Sequence, residues 1–414
     1  MILRARTVLP VSRPPIVDGT VAVAGDKIHA VGSWRQVAAR DRNDVVDLGE
    51  VILLPGLVNS HCHLDYTDMA GEILPPKSFT DWIKLITAAK GGWTYSDFAQ
   101  SWLNGAQMLL RHGATTVADF ENVPELLPEI WSATPLRVSS FLEMTGVRSR
   151  RDPRAILGDV AKKIRALGKT ARNDAALAPH APYSTVPGLL RLAAETARRQ
   201  GWRLATHVAE SVEEAEMFQA ARGVMFDWLA RNQRDNSDCG LGSPVAHLAR
   251  NGMLGENLLA IHANLLAPGD AELLARHRVH VVHCPRSHDY FRHPPFPRRA
   301  LAVAGVNLCL GTDSLATVRK MGRERLELNL FEEMRELAAA DTTVSPVEIL
   351  RMATANGAKA LGLAGKIGEL SANAFADLIA IPFAGKKADI YDAVLHHAGQ
   401  VSVSMIGGQW AIAP

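Results

Sequence analysis

The sequence predicts an α/β protein: a (β/α)8 TIM barrel carrying a small β-sandwich domain built from both termini. Three observations predict it. Eight short apolar runs alternate with longer amphipathic, Ala/Leu-rich stretches through the middle of the chain. That is the alternation of a parallel sheet, and eight is the number that closes a barrel. Nearly every run ends in a residue that can ionise or bind a metal, and β-rich segments occupy both ends.

The first segments, ILRARTVLPV, GTVAVAGDKIHAVG and DVVDLGEVILLPG, read as strands, with Gly25-Asp26 as a tight turn. The C-terminal KIGELSANAFADLIAIP and VSVSMIGGQWAIAP read alike. The ends are therefore assigned to one composite β-domain, 1–54 with 366–414, flanking a catalytic barrel over 55–365.

Within the barrel the apolar runs are GLVNSH (56–61), ATTVADF (114–120), RVSSFLEM (137–144), DAALAPH (174–180), RLATHVAE (203–210), LLAIHANL (258–265), VHVVHCP (279–285) and VNLCLGTD (306–313). Helix-like stretches such as PGLLRLAAETARRQG lie between them. The polar run ends are His61, Asp119, Glu143, His180, His207, His262, His283 and Asp313. In a barrel all strand C-termini open on one face, so these side chains are expected to converge there. A doubly wound open sheet would spread them along an edge.

At 414 residues the chain has room for such a barrel with additions. A net charge of +2 gives no electrostatic reason to expect nucleic acid or an anionic membrane as partner. Four scattered cysteines form no CxxC pair and no disulfide framework. The start, MILRARTVLPVSRPP, lacks a signal-type apolar stretch, and no run of apolar residues reaches membrane-spanning length. A soluble, cytoplasmic protein is expected.

His61-Cys62-His63 sets two imidazoles at i and i+2 on a strand end, about 6–7 Å apart at Cα and within reach of one ion. Alone this is a weak signal among 15 histidines. His207 and Asp313 end two further runs. Each has a bland alternative: a satisfied core histidine, or an aspartate capping the next helix. Taken together, three imidazoles and one carboxylate suit Zn2+ or Fe2+ better than Mg2+ or Ca2+. Cys62 points away from these ligands by strand alternation.

At these residues the chain resembles the amidohydrolase superfamily, in its cytosine deaminase / S-adenosylhomocysteine deaminase / chlorohydrolase-like branch. The segments that carry the resemblance include LPGLVNSHCHLD (54–65), APHAPYS (178–184), THVAES (206–211), VHCPRSH (282–288), GVNLCLGTDS (305–314) and ATANGAKALGL (353–363). It implies a single divalent metal, Zn2+ or Fe2+, held by His61, His63, His207 and Asp313. Binuclear members carry a carboxylated lysine on strand four, whereas NDAALAPHAP contains no lysine.

The resemblance also implies roles. A divalent ion lowers the pKa of water from about 15.7 towards 7. The hydroxide attacks an amino-bearing ring carbon, with Asp313 taking the water's proton. Glu210, in His-Val-Ala-Glu, would protonate the adjacent ring nitrogen, and burial would let it hold a proton at pH 7. The competing reading makes Glu210 a helix N-terminal carboxylate. His262 would stabilise the tetrahedral intermediate.

For the substrate, LDYTDMAGEILPPKSFTDWI (64–83) resembles the front loop of aminodeoxyfutalosine deaminases. Phe79 and Trp82 could stack on an aromatic ring or simply pack against each other. His180 resembles a ribose-contacting residue of nucleoside deaminases. Arg148, beside Arg150 and Arg151, could bind a carboxylate or remain solvated. Two departures from the family pattern stand out: His288, with Arg292 and His293, where an Asn is usual after Pro-x-Ser, and Ser314 in place of Gly. Both are expected on the catalytic face.

The expected activity is therefore deamination of an aminopurine nucleoside, 6-aminodeoxyfutalosine or an adenosine-like compound, by a protein expected to be a homodimer. The alternatives are hydrolysis of a C–Cl, S-alkyl or cyclic amide bond of an N-heterocycle, or a non-enzymatic scaffold. The presence of all four ligands argues against the scaffold.

Overall fold

A computed structural model describes residues 1–37, 44–320, 322 and 325–414. The N-terminal strands are β1 (Ile2–Val8), β2 (Ile16–Ala24), β3 (Lys27–Ser33), β4 (Val45–Asp47) and β5 (Val51–Pro55). The C-terminal ones are β14 (Leu378–Pro382), β15 (Val403–Ile406) and β16 (Gln409–Ile412). They join in the order β16-β15-β14-β5-β1-β2-β3, with β4 beside β1. The two ends of the chain meet where β14 runs antiparallel to β5, Leu378 opposite Pro55 and Ile381 opposite Ile52.

Period-2 patterning explains how this sheet sits. On β5, Leu53 enters a core shared by Leu3, Val21, Ile28, Leu378 and Met405. Strands far apart in the sheet order share that core, so the sheet curls over itself into the expected sandwich. Ile52 and Leu54 point the other way, into the core around the barrel. A strand buried on both faces must be apolar throughout, as VILLP is.

The barrel strands are β6 (Leu57–Cys62), β7 (Ala114–Glu121), β8 (Arg137–Met144), β9 (Asn173–Pro179), β10 (Leu204–Val208), β11 (Leu258–His262), β12 (His280–His283) and β13 (Asn307–Leu310). They lie in sequence order, and all of their pairings are parallel. A bridge between Cys62 and Asp313 brings β13 back to β6. Gly311 permits that closure, because a Cβ there would stand 2.8 Å from the His61 carbonyl oxygen. Each apolar run named from the sequence overlaps one of these strands, with ends that differ by a residue at β6, β7 and β9.

Alternate residues fill the barrel: Phe120 and Phe141 on adjacent strands, with Ala176, Ala178 and Ala205 following. Large rings beside small side chains share the layer. Helices cover the outside. The helix Tyr95–Arg111 starts with a Thr94/Asp97 capping box and buries Trp102 completely against the barrel.

Arg137, at the start of β8, ties the barrel to the sandwich. Its guanidinium is buried, pairs with Asp377 through Nε and Nη2 (the latter 3.1 Å), and lies 3.9 Å over the Phe375 ring. Among the described residues no helix is long and apolar enough to cross a membrane.

Candidate active site

The barrel-filling parity decides which strand-end groups reach the cavity at the C-terminal face. Phe141, Ala178 and Ala205 face inward, so Glu143, His180 and His207, two residues further on, do too. On β6 the register shifts between Asn59 and Cys62. The bulge turns His61 and His63 inward and leaves Cys62 in the outer core. His262 follows inward-facing Ile261 and would point outward, but its φ of 74° turns it back. Asp313 likewise adopts φ 52°. Left-handed backbone at non-glycine residues is costly and gathers at such sites.

Two expected convergences fail for the same parity reason. Asp119 precedes inward-facing Phe120, so it faces the helices, accepting from Trp102 Nε1 (2.9 Å) and the Leu64 amide (3.1 Å). His283 follows Val282 and stacks on Phe296, with ring centroids 3.8 Å apart. His288, Arg292 and His293 line a separate cavity beside His283, away from the main one. The departures noted in that loop therefore border a neighbouring pocket. Ser314 is buried.

The remaining groups assemble closely. His63 Nε2 lies 3.3 Å from His207 Nε2 and 3.7 Å from Asp313 Oδ1, and His61 Nε2 lies 3.5 Å from the same oxygen. The donor atoms of His61, His63 and Asp313 lie within 4.8 Å of one another, as do those of His61, His207 and His262. Both ring nitrogens of His61 are buried without a hydrogen-bond partner. Buried imidazoles with idle nitrogens, converging on one carboxylate, fit a transition-metal ion. His207 donates through Nδ1 to the His180 carbonyl (2.9 Å), which leaves Nε2 as the ligating atom.

Electrostatics agree with that reading. Burial, reinforced by His61, drives the His63 pKa well below the ordinary value, and burial with His180 does the same to His207, so both rings are neutral. Burial pushes Asp313 up, but the imidazoles of His61, His262 and His63 around it prevail and hold it well below the usual carboxylate range. Two hydroxyls support it: Ser287 Oγ donates to Oδ2 at 2.7 Å and Thr317 Oγ1 at 3.2 Å.

Glu210 stands 3.4 Å from His262 Nε2, and both side chains are buried. Burial, then Asp313 and Glu214, raises the Glu210 pKa well above normal. Burial drops His262 to about 3. The carboxyl does not serve as the N-cap of the helix Val212–Ala220; Ser211 does, accepting from the Glu214 amide. The Glu210 carbonyl instead accepts from Asn264 Nδ2 (3.1 Å).

The cavity above these groups holds about 490 Å3 and is lined by Trp82, His180 and Arg148 together with Tyr66, Tyr183 and Trp228. Phe79 and Trp82 stack on each other at 5.9 Å and also border the cavity. Arg148 is exposed at its rim. Ser287, Thr317 and Asn264 were not foreseen. For Ser287 the signal was present: a hydroxyl in the first turn after strand seven, in CPRS.

A family model described as the Amidohydrolase family matches residues 52–411. The 5-methylthioadenosine/S-adenosylhomocysteine deaminase of Syntrophobacter fumaroxidans is 33% identical over 382 residues, covering 88% of this chain and 80% of that protein. Two crystal structures share the fold. An adenosine deaminase from Xanthomonas campestris with bound zinc has a TM-score of 0.85 at 24% identity, over 100% of this chain and 92% of that one. The Helicobacter pylori aminofutalosine deaminase complexed with methylthio-coformycin has a TM-score of 0.88 at 22% identity, over 99% and 100%.

Proposed function

The chain belongs to the amidohydrolase family, and on that premise we propose that it is a metal-dependent deaminase of adenine-type nucleosides. The observation that carries this reading is the buried pair Glu210 and His262, 3.4 Å apart beside the ligand set, where burial favours a protonated carboxyl and a neutral imidazole. The deaminase activity named for a relative of one-third identity supports it.

His61, His63, His207 and Asp313 would hold one Zn2+ or Fe2+, which lowers the pKa of a water so that it reacts as hydroxide at neutral pH. Asp313, kept ionised by its histidine neighbours, accepts the attacking water's proton. Glu210, kept protonated by burial, gives its proton to the ring nitrogen next to the amino-bearing carbon. His262 donates towards the developing oxyanion if its Nε2 bears the hydrogen, a nitrogen left without a partner in the structure. Oxygen adds to the ring carbon, the C–N bond breaks, and the amine leaves as ammonia with the proton passed on by Asp313, while the hydroxyl proton lost as the carbonyl forms restores the Glu210 carboxyl. Trp82 and Phe79 cover the apolar side of the cavity, where a purine or its substituent would lie.

Within that class we favour 6-aminodeoxyfutalosine or an adenosine-like nucleoside. The test is ammonia release from adenosine, 5-methylthioadenosine, S-adenosylhomocysteine and aminodeoxyfutalosine, with metal analysis of the same sample. Turnover of at least one, by protein holding one equivalent of metal, is expected. Release of chloride, thiol or a new carboxylate from other N-heterocycles, with no ammonia from this panel, would overturn the reading.

A further inference from the structure

Glu143 has no role in the chemistry above, yet it stands in the cavity. It continues the inward face of β8 two residues beyond Phe141 and borders the space shared with His180 and Tyr183. Two nearby donors, Lys90 and Asn122, turn to Asp65 instead, and Arg148 is exposed at the rim without pairing with Glu143. Lys90 Nζ turns to Asp65 Oδ2 at 3.9 Å and lies 4.5 Å over the Tyr66 ring. Asn122 Nδ2 donates to the same Asp65 oxygen at 3.1 Å. Among the described residues nothing pairs with the Glu143 carboxylate. A carboxylate that borders a cavity beside Tyr66 and Tyr183 and is left unpaired by the protein is poised for donors that a ligand brings.

The order of groups around the rim says which part of a ligand that would be. Glu143 is the penultimate residue of β8, His180 follows β9, His207 lies on β10 and His262 on β11. An amino-bearing ring held at Glu210 and His262 therefore extends past His180 before its substituent reaches Glu143. A ribose attached to the ring carries two vicinal hydroxyls, a pair of donors that matches the two oxygens of one carboxylate.

We propose that Glu143 accepts hydrogen bonds from the 2′- and 3′-hydroxyls of a ribonucleoside and so selects ribonucleosides over free bases and deoxysugar analogues. The inference rests on the deaminase reading and adds a specificity residue to it. Bases or heterocycles without the sugar would leave the carboxylate desolvated and unpaired, a penalty paid in kcat/KM.

The experiment compares kcat/KM for adenosine and 2′,3′-dideoxyadenosine in the metal-loaded wild type and in Glu143→Gln. The wild type is expected to prefer adenosine by at least about 100-fold. In Glu143→Gln, adenosine should lose about 10- to 100-fold, while the dideoxy analogue stays within about threefold, so the preference collapses. The wild-type ratio carries the test even if the variant folds poorly. Equal use of the two substrates by the wild type, or an equal loss on both in the variant, overturns the role of Glu143 and leaves the deaminase reading standing. Turnover of no nucleoside by metal-loaded protein overturns both.

Discussion

Glu210 and His262 face each other across 3.4 Å with both side chains buried, and burial moves their proton affinities in opposite directions. Burial thus favours the proton on the carboxyl and a neutral imidazole. Glu210→Gln keeps the shape and removes that transferable proton. Metal content should be unchanged while kcat falls by about 10²–10⁴. A variant that keeps wild-type turnover would remove Glu210 from the acid role.

Ser287 holds one oxygen of Asp313 at 2.7 Å and reaches it from the helix Pro285–Phe291. Ser287→Ala frees the carboxylate to rotate. Metal affinity, measured by competition with a chelator, should fall about 10- to 100-fold, the usual cost of losing an outer-shell partner. Unchanged affinity would mean that Thr317 suffices.

Metal removal should cost stability as well as activity, because the ligands come from β6, β10 and the loop after β13. Dialysis against a strong chelator is expected to lower the melting temperature, and Zn2+ should restore it. His61→Ala should melt at the apo temperature with or without added Zn2+. A melting temperature indifferent to metal in the wild type would contradict the site.

Glu214 is fully buried and accepts from the Glu210 amide at 2.8 Å; burial lifts its pKa from 4.5 to about 8. Its folded-state pKa lies above the unfolded one. The associated stability is therefore complete below about pH 4.5 and is lost as pH climbs towards 8 and beyond. Glu214→Gln cannot ionise and still offers an acceptor. Denaturant melts should show the variant gaining on the wild type as pH rises from 5 to 8.5. A constant difference would show that Glu214 does not titrate in this window.

Arg137 and Asp377 form a buried ion pair between barrel and sandwich, and the same aspartate accepts from the Gly407 amide at 2.7 Å. Arg137→Ala leaves that carboxylate buried without its cation and should cost about 3–5 kcal/mol in unfolding free energy. A loss under about 1 kcal/mol would mean that solvent reaches the pair.

The strand runs were legible because a closed parallel barrel needs short, nearly all-apolar strands, and residues such as Val281 and Leu308 supply them. The position of His207 was legible from its place at the end of β10. Parity separates it from His283: His207 repeats the inward face of Ala205, whereas His283 neighbours inward Val282. That contrast is written in the sequence and would have excluded both His283 and Asp119. His61 and His262 were beyond parity, since a bulge and a left-handed φ reverse their directions. Ser287 depends on how the helix Pro285–Phe291 meets the loop after β13, which no local pattern encodes.

The antiparallel seam between β5 and β14 has a consequence for how the chain is made. Domains usually fold from the N-terminus as the ribosome delivers them. Here β5 is synthesised early, but its partner Leu378–Pro382 emerges only after every barrel strand. Until then β5 keeps an open edge and the core around Leu53 lacks Leu378 and Met405, the condition in which strands recruit wrong neighbours. Strands made after the barrel thus seal strands made before it. Nascent chains stalled before residue 378 should be the ones that chaperones hold.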